Sequence, residues 1–401
     1  MNKQVEISPL KSVKAFYPLM VVSGLVQLLV PSTIHIIMDQ FHLTEGEVSI
    51  LPLIYFIGMM LSAVFVTHLI HRFLVKILII TSAFLIIVSL ISASFSQEFE
   101  MFAFFCFFAG IGNGILIILP GIYVTNVLGK ESARIQSALF GFLSFGYIVG
   151  PLIPGIIVKL DISWRWAIAS PGLFMIPLII PLVFTKLGRI SKVETLSIRS
   201  VKEIIKYNPR FFAGLFIALV LGAGATQGFL IWIITFLEKE RGMISGSAHL
   251  VLSGIGICLV LGRLACGYLT KRFSTFKILI ILTVVSSILI FFAPFDKNIS
   301  INILLFFIAS VFFAGIFPLL LSAASTYPKS ESSNTYTLFF IALSLGCLFI
   351  PFVIGQIFEI AGYVAGMSSI TVLFLGVLAC LFIIRNVLPH KRKSSLMKHS
   401  G

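Results

Sequence analysis

About twelve apolar stretches of about 20 residues run through the sequence, each long enough to cross a hydrocarbon core of about 30 Å as an α-helix. Charged residues make up 11% of the 401 residues, whereas soluble domains contain about 25%. Hydrophobic residues make up 58%, whereas soluble domains contain about 45–50%. The stretches lack the alternating pattern of transmembrane β-strands. The sequence therefore predicts an all-α polytopic membrane protein. We place its twelve transmembrane helices at residues 15–38, 48–70, 75–95, 99–124, 137–158, 166–185, 211–237, 247–270, 275–294, 300–324, 335–358 and 364–387.

Motifs of the first half recur in the second half at a separation of 200 residues. The matches fall in three different pairs of predicted helices, which makes chance a poor explanation. We therefore predict two pseudo-symmetric six-helix bundles. The matched positions are Gly24 and Gln27 with Gly224 and Gln227, Leu69 and Arg72 with Leu269 and Arg272, and Gly146, Pro151 and Gly155 with Gly346, Pro351 and Gly355.

The longest connection, residues 186–210, is rich in Lys, Arg and Ser and separates bundles at residues 1–185 and 211–388. We expect a cytoplasmic central loop that includes a short amphipathic segment on the membrane surface. A hinge between the bundles and a passive tether are both consistent with its composition. Residues 389–401 form a basic tail, which we place in the cytoplasm.

The formal net charge of +14 does not indicate a nucleic-acid partner, because the basic residues lie in short loops and in the tail. With a cytoplasmic N-terminus, 23 Lys and Arg residues lie on the cytoplasmic side and five on the outer side, while Arg263 lies within a span. The positive-inside rule therefore predicts that both termini lie in the cytoplasm. We expect the protein in the plasma (inner) membrane of the cell. The first apolar stretch is too long for a signal-peptide core and no small-residue cleavage site follows it.

All five cysteines lie within predicted spans, and none belongs to a Cys-x-x-Cys pair. This pattern indicates neither a disulfide framework nor a zinc site. A phosphate-binding loop is also missing from the sequence. We therefore expect no metal, no cofactor and no direct use of ATP.

The fifth predicted helix carries the motif Gly146-x-x-x-Gly150-Pro151-x-x-Pro154-Gly155. It resembles the fifth-helix motif of the major facilitator superfamily, usually Gly-x-x-x-Gly-Pro-x-x-Gly-Gly, with Pro154 as the departure. The plan of six plus six helices around a basic loop is also similar, so the resemblance covers nearly the whole chain. It implies a transporter, and the motif is enriched in proton-coupled exporters of that family.

In physical terms, small residues four apart let helices approach closely, and proline bends a helix. Such a surface suits a helix that packs and then slides during gating, although helix packing alone is the alternative. Ile350 replaces Gly150 in the second copy. We therefore expect closer packing around the fifth helix than around the eleventh.

A second motif of that family, Gly-x-Leu-x-Asp-Arg-x-Gly-x-[Arg/Lys], belongs between helices 2 and 3. In this chain Thr67 replaces the glycine and His71 the aspartate before Arg72, while the second copy has Lys271 before Arg272. Neither copy supplies the carboxylate that the family uses at its gate, so the gate must differ. Arg72 and Arg272 remain candidates for binding helix C-termini or lipid phosphate, with a role in topology as the alternative.

Polar side chains near the membrane centre are candidates for a substrate cavity. At about 1.5 Å per residue, Gln27 lies about 20 Å above Lys14, and Gln227 is its counterpart. Repeat-built transporters bind substrate near the midplane between the repeats, so the two glutamines lead the prediction. Further candidates are Trp232, Asn113, Tyr123, Tyr147, Tyr336 and Gln356. The alternative for each is an interhelical hydrogen bond, worth about 0.6 kcal/mol.

Intramembrane carboxylates are the usual proton relays, but all fifteen Asp and Glu residues lie in predicted loops or near helix ends. Cys106 stands where the family often has an arginine implicated in proton transfer. The candidates for coupling are therefore His35, which titrates near neutrality, together with Asp39 and Glu359; a simple interfacial role is the alternative for His35. A neutral, zwitterionic or amphiphilic solute suits such a chain better than a strongly charged one.

These features predict a secondary transporter that moves a small organic solute across the plasma membrane by alternating access. Proton-coupled export is one form of this prediction, and uptake by symport or facilitated diffusion is the other. An intramembrane enzyme is not expected, because paired intramembrane aspartates, His-Glu-x-x-His and a Ser/His dyad in a Gly-rich site are missing. A non-transporting membrane receptor is not expected either, because such a receptor would normally carry an added soluble domain. We expect a monomer in the lipid bilayer, with protons as a candidate second ligand.

Overall fold

A computed structural model describes residues 13–128, 132–185, 187, 198–325 and 333–387. This part of the chain contains twelve helices long and apolar enough to cross a membrane, which confirms the predicted all-α polytopic fold. We number them α1 (Phe16–Phe41), α2 (Glu45–Arg72), α3 (Val75–Ser94), α4 (Phe99–Val124), α5 (Ala138–Lys159), α6 (Arg165–Phe184), α7 (Pro209–Glu240), α8 (Gly246–Leu269), α9 (Thr275–Phe295), α10 (Ile299–Ala323), α11 (Leu338–Ala361) and α12 (Tyr363–Arg385).

Four helix ends extend three residues beyond their predicted limits. α1 ends at Phe41, α2 begins at Glu45, α7 ends at Glu240 and α11 ends at Ala361. The predicted helices ended next to polar residues such as Asp39 and Glu238, because the apolar stretches end there. In the structure these residues contact the other bundle, so the helices continue through them.

The twelve helices form two bundles with equivalent internal packing. In the first bundle, α1 packs on α5, α4 packs on α2 and α3, and α3 packs on α6. The corresponding pairs of the second bundle are α7 with α11, α10 with α8 and α9, and α9 with α12. The predicted pseudo-symmetry of the halves is therefore confirmed. The bundles meet mainly where α2 packs on α11, α5 on α8 and α1 on α7.

Two ends of the molecule are distinguished by their connections. What we call the terminal end carries the start of α1 and the end of α12. The opposite end, which we call the closed end, carries the connections at residues 42–44, 95–98, 160–164, 241–244, 296–298 and 362.

Glycine pairs determine how closely the helices approach within each bundle. A Cβ atom on Gly146 would lie 2.2 Å from the Val21 carbonyl oxygen and 2.8 Å from the Cα of Gly24. At the equivalent contact, a Cβ on Gly346 would lie 2.0 Å from the Val220 carbonyl oxygen. Both helix pairs thus pack backbone to backbone at glycine, as small residues permit in membranes.

The expectation of closer packing around α5 than around α11 is therefore wrong. A Cβ on Gly150 would meet its nearest neighbour, the Gly146 carbonyl oxygen, only at 3.0 Å, so Gly150 does not set the helix spacing. Ile350, at the matching position, instead places its side chain against Gly224.

Gly146→Ala is expected to destabilise the protein by about 2 kcal/mol, because a methyl group there overlaps backbone atoms of α1 that cannot rotate away. Thermal unfolding in detergent measures the effect as a lowered Tm. The matched control is Gly141→Ala on the same helix, where an added Cβ would have nothing within 4 Å. A Gly146→Ala protein as stable as the control would contradict the packing role.

Two helices of the first bundle are interrupted at the same level. α1 loses regular helical geometry at Leu28, and α5 is interrupted at Gly150 and Pro151. A Cβ on Gly150 would lie 3.4 Å from the Cβ of Leu28, which places the interruptions side by side. The helix is thus interrupted at Pro151, a residue that has no backbone donor.

A short helix, Ile198–Tyr207, precedes α7 and lies within the predicted central loop. Ile204 of this helix is buried. The side chain of Asn208 accepts a hydrogen bond from the backbone N–H of Phe211, and Pro209 occupies the first position of α7. This combination favours helix initiation. Residues 186 and 188–197 of the central loop, and the basic tail, lie outside the described residues.

Candidate functional site

The ends of α1 and α7 join the two bundles at the closed end. Lys239 Nζ donates a hydrogen bond to Asp39 Oδ1 at 2.8 Å. These residues are 200 positions apart, so they are equivalent positions of the repeat. A contact between equivalent positions places the pseudo-two-fold axis between them. Because both side chains are partly exposed, the ion pair contributes at most about 1 kcal/mol to stability.

A second contact at the closed end joins α2 to α11. Gln356 Nε2 donates to the Gly46 carbonyl oxygen at 3.0 Å and to Ser49 Oγ at 3.3 Å. One turn further along α11, the Glu359 carboxylate accepts a hydrogen bond from Thr44 Oγ1 at 3.2 Å. Gln356 therefore links the bundles at the closed end in this structure.

The third contact joins α5 to α8. Ser253 Oγ donates to the Ile148 carbonyl oxygen at 2.6 Å. A Cβ on Gly155 would lie 2.8 Å from the Cβ of His249, and a Cβ on Gly355 would lie 2.4 Å from the Cβ of Ser49. These two glycine contacts are again equivalent under the 200-residue repeat, and both lie between the bundles. Gly146 thus packs α5 within its own bundle, whereas Gly155 packs it against the other.

The structure brings the three coupling candidates together at this closed end. His35 Nε2 lies 3.7 Å from Glu238 Oε1, Asp39 pairs with Lys239, and Glu359 accepts from Thr44. Each contact crosses from one bundle to the other. The same side chains would have to separate whenever the closed end opened.

Deeper in the molecule, the two predicted glutamines are buried, with 9% of Gln27 and 5% of Gln227 exposed. In the described part of the chain, Gln27 Oε1 and Gln227 Nε2 have no hydrogen-bond partner. A buried polar atom without a partner costs about 1–3 kcal/mol. A ligand that supplied the missing donor and acceptor would recover this free energy.

Asn113 connects three helices of the first bundle. Its Nδ2 donates to the Ser23 carbonyl oxygen at 3.2 Å and to the Tyr55 hydroxyl at 2.8 Å. Its Oδ1 has no hydrogen-bond partner among the described residues. The donor side of Asn113 is thus structural, whereas its acceptor side has unused capacity.

The remaining lining candidates differ in their surroundings. Trp232 Nε1 donates to the Pro351 carbonyl oxygen at 2.8 Å, and its ring lies 4.9 Å from that of Phe358, so this side chain packs α7 on α11. Tyr123 is buried edge-on against Phe16 at 5.6 Å. The side chain of Tyr336 lies outside the described residues.

Arg263 of α8 is a functional candidate that the sequence reasoning did not select. Its guanidinium donates to Ser144 Oγ and lies 5.8 Å from the centre of the Tyr147 ring, so it bridges the two bundles. Among the described residues, the carboxylates form no ion pair with it. Ionisable residues within membrane spans are rare and usually functional. Its position well inside a predicted span, away from either end, was the signal that could have identified it.

Two further residues that the sequence reasoning missed, Glu238 and His249, lie beside His35. The His35 and His249 rings are 5.1 Å apart, and His249 Nε2 donates to the Ser32 carbonyl oxygen at 2.8 Å. Glu238 lies in a π-helical turn, Phe236–Glu240, that ends α7. The sequence placed Glu238 beyond the helix end, because a π turn has no apolar periodicity that would reveal it.

A comparison of the whole sequence decides the family. The sequence profile of the Major Facilitator Superfamily matches residues 16–351. The chain belongs to this superfamily. The predicted resemblance is thus confirmed.

Members similar in sequence include the Protein TsgA homolog of Buchnera aphidicola subsp. Acyrthosiphon pisum, 21% identical over 339 residues, which cover 84% of this chain and 86% of the relative. Among solved superfamily structures, a D-xylose-proton symporter aligns with a TM-score of 0.75 and 14% identity, covering 96% of this chain and 99% of the symporter. A bacterial homolog of the human lysosomal transporter Spinster, inward-facing and occupied, aligns at 0.73 and 13% identity over 95% and 96% of the chains. At these identities the structures show the fold alone.

The superfamily's loop motif lies at the terminal end, where Arg72 and Arg272 are both exposed. The guanidinium of Arg272 lies 5.3 Å from the centre of the Tyr268 ring. Lys76 Nζ donates to the carbonyl oxygen of Val183, in the last turn of α6. A contact of the kind predicted for the two arginines, a cation on a helix C-terminus, is thus made here by Lys76.

Proposed function

We propose that this superfamily member is a secondary transporter that moves a small organic solute by alternating access of its two bundles. The observation that carries the proposal is the closed end, where three contacts arranged according to the two-fold repeat join the bundles: α1 with α7, α2 with α11 and α5 with α8. In such a scheme these contacts break and re-form once in each cycle. The scheme serves export and uptake alike, because alternating access is reversible.

The distribution of basic residues supports an orientation with both termini and the loop 186–210 in the cytoplasm. The closed end then faces the outside. The structure corresponds, on this proposal, to a state in which access from the outside is blocked. Residues 1–185 and 211–388 move as the two bodies.

We place the solute between the bundles, at the depth of Gln27 and Gln227. The unpartnered amide atoms there can bind a polar group from each side. Arg263 adds a positive charge at the contact of α5 with α8. The solute class that these groups fit best is a small molecule with a carboxylate, or a comparable anionic acceptor, beside neutral hydrogen-bonding groups.

A thermal-shift screen of the purified protein against carboxylic acids, amino acids, sugars and nucleosides tests this class. We expect carboxylate-bearing solutes to raise the Tm, and the best of them to exchange across proteoliposome membranes in a counterflow assay. Arg263→Gln should weaken their binding by about tenfold or more, because hydrogen bonds to charged groups are worth about 1.5–3 kcal/mol.

The matched control is Lys297→Gln, which removes an exposed positive charge from a closed-end connection. It should leave binding unchanged. If a sugar or nucleoside exchanges in counterflow and Arg263→Gln does not change its rate, the proposed class of anionic solutes is wrong. The transport function would then still stand. Failure of every stabilising solute to exchange would overturn transport itself.

A further inference from the structure

The cluster of His35, Glu238 and His249 at the closed end has the composition of a metal site. One candidate ligand atom from each residue can be chosen so that all three lie within 4.8 Å of one another. Both histidines are buried, and 12% of the Glu238 side chain is exposed. We propose that this cluster binds a divalent transition-metal cation of the zinc type and that the bound cation holds the closed end shut.

The donor set selects the class of metal. Two imidazole nitrogens and one carboxylate oxygen suit Zn²⁺, Co²⁺ or Ni²⁺. Mg²⁺ and Ca²⁺ require mainly oxygen ligands. The expectation of no metal site was based on the spacing of cysteines, and it did not consider histidines brought together from separate helices.

The hydrogen bond of His249 supports a ligand role for its second nitrogen. A carbonyl oxygen only accepts, so His249 Nε2 carries the proton that it donates to Ser32. In neutral His249 the lone pair is then on Nδ1. Metal-binding histidines are commonly oriented in this way, with the other ring N–H on a backbone carbonyl.

The spacing of the donors is close to that of a metal site. In a tetrahedral zinc site with bonds of about 2.0–2.1 Å, neighbouring ligand atoms lie about 3.4 Å apart. His35 Nε2 and Glu238 Oε1 are 3.7 Å apart, and the widest separation within the cluster is under 4.8 Å. Small side-chain rotations therefore suffice to close the coordination sphere.

The backbone and the neighbouring charges also favour a cation. Glu238 is brought to the cluster by the π-helical turn at the end of α7, and such turns are frequent at functional sites. The adjacent Lys239 pairs with Asp39, which compensates its charge. The carboxylate of Glu238, 3.7 Å from His35 Nε2, supplies a negative charge within the cluster itself.

The ligands come from both bundles, since His35 belongs to α1 and the other two to α7 and α8. The three-ligand site therefore exists only while the closed end is closed. A cation that binds one state alone shifts the equilibrium toward that state. Zinc should accordingly stabilise the protein and slow its cycle.

Titration of the chelator-treated protein with ZnCl2, followed by calorimetry and by thermal unfolding, tests the site without any transport assay. We expect Zn²⁺ to bind and to raise the Tm, and Mg²⁺ to do neither. Glu238→Gln keeps the shape of the side chain and changes neither His249 nor Ser32, so we expect it to weaken zinc binding by about tenfold or more without unfolding the protein. His35→Ala should weaken binding to a similar degree.

The matched control is His42→Asn, which removes an exposed histidine at the same end of the molecule. Residue 42 has a φ of 56°, which asparagine tolerates. His42→Asn should keep the zinc affinity of the original protein. No zinc binding, or zinc binding unchanged in both Glu238→Gln and His35→Ala, would overturn the site. Zinc binding without slower transport would retain the site and overturn its effect on the cycle.

Discussion

Cross-linking cysteines introduced by Asp39→Cys and Lys239→Cys is expected to reduce transport by about tenfold or more, because in the proposed mechanism a covalent link prevents the two bundles from separating at the closed end. The two side chains contact each other at 2.8 Å and belong to different bundles. Both are partly exposed, so a short bifunctional thiol reagent can reach them. Reduction of a cleavable cross-link should restore transport. The measurement is solute counterflow in proteoliposomes, with the yield of cross-link determined on the same samples.

The control for this experiment is a link within one bundle. Lys76→Cys and Val183→Cys join α3 to α6, where the Lys76 amine contacts the Val183 carbonyl. Linking them should leave transport nearly unchanged, since in the proposed mechanism the first bundle moves as one body. The single variants control for reaction at the native cysteines, four of which are buried and the fifth, Cys258, partly so. Full transport by the cross-linked Asp39→Cys/Lys239→Cys protein would mean that the closed end does not open in the cycle.

Replacing Gln27 and Gln227 together by Ala is expected to raise the KM for the solute by about tenfold or more, because each lost hydrogen bond contributes about 0.5–1.5 kcal/mol. The stability of the solute-free protein should stay the same or rise. Each side chain carries a buried atom without a hydrogen-bond partner, and removing that atom takes away its desolvation cost, which offsets the packing that is lost. Counterflow kinetics and thermal unfolding on the same preparations check both parts.

Asn302→Ala provides the opposite case. The Asn302 side chain is buried and fully bonded, since Oδ1 accepts from Arg241 and Nδ2 donates to the carbonyl oxygens of Ala293 and Asp296. Its loss should lower the Tm and leave the KM unchanged. A glutamine double variant that behaved like Asn302→Ala, less stable but normal in KM, would assign both glutamines to helix packing.

Much of the fold follows from the sequence because a membrane requires each spanning segment to satisfy its own backbone hydrogen bonds. Apolar length then locates the helices within a few residues, and the glycines repeated at 200 residues identify the α1–α5 and α7–α11 contacts. The same repeat relates Gly155 to Gly355 and Asp39 to Lys239. Periodicity could not show that Gly155 faces the other bundle while Gly146 faces its own.

The sequence by itself determined the twelve helices, their grouping into two bundles and the charge asymmetry from which we predict their orientation in the membrane. These properties depend on local hydrophobicity and on repetition along the chain. Only the tertiary structure decided that Gln356 and Glu359 hold the closed end, that Arg263 reaches Ser144, and that a π turn carries Glu238 to two histidines. Each of these contacts, apart from that of Glu238 with His249, joins residues from different bundles. The distances between these residues are set by the packing of one bundle on the other, which no local sequence pattern shows.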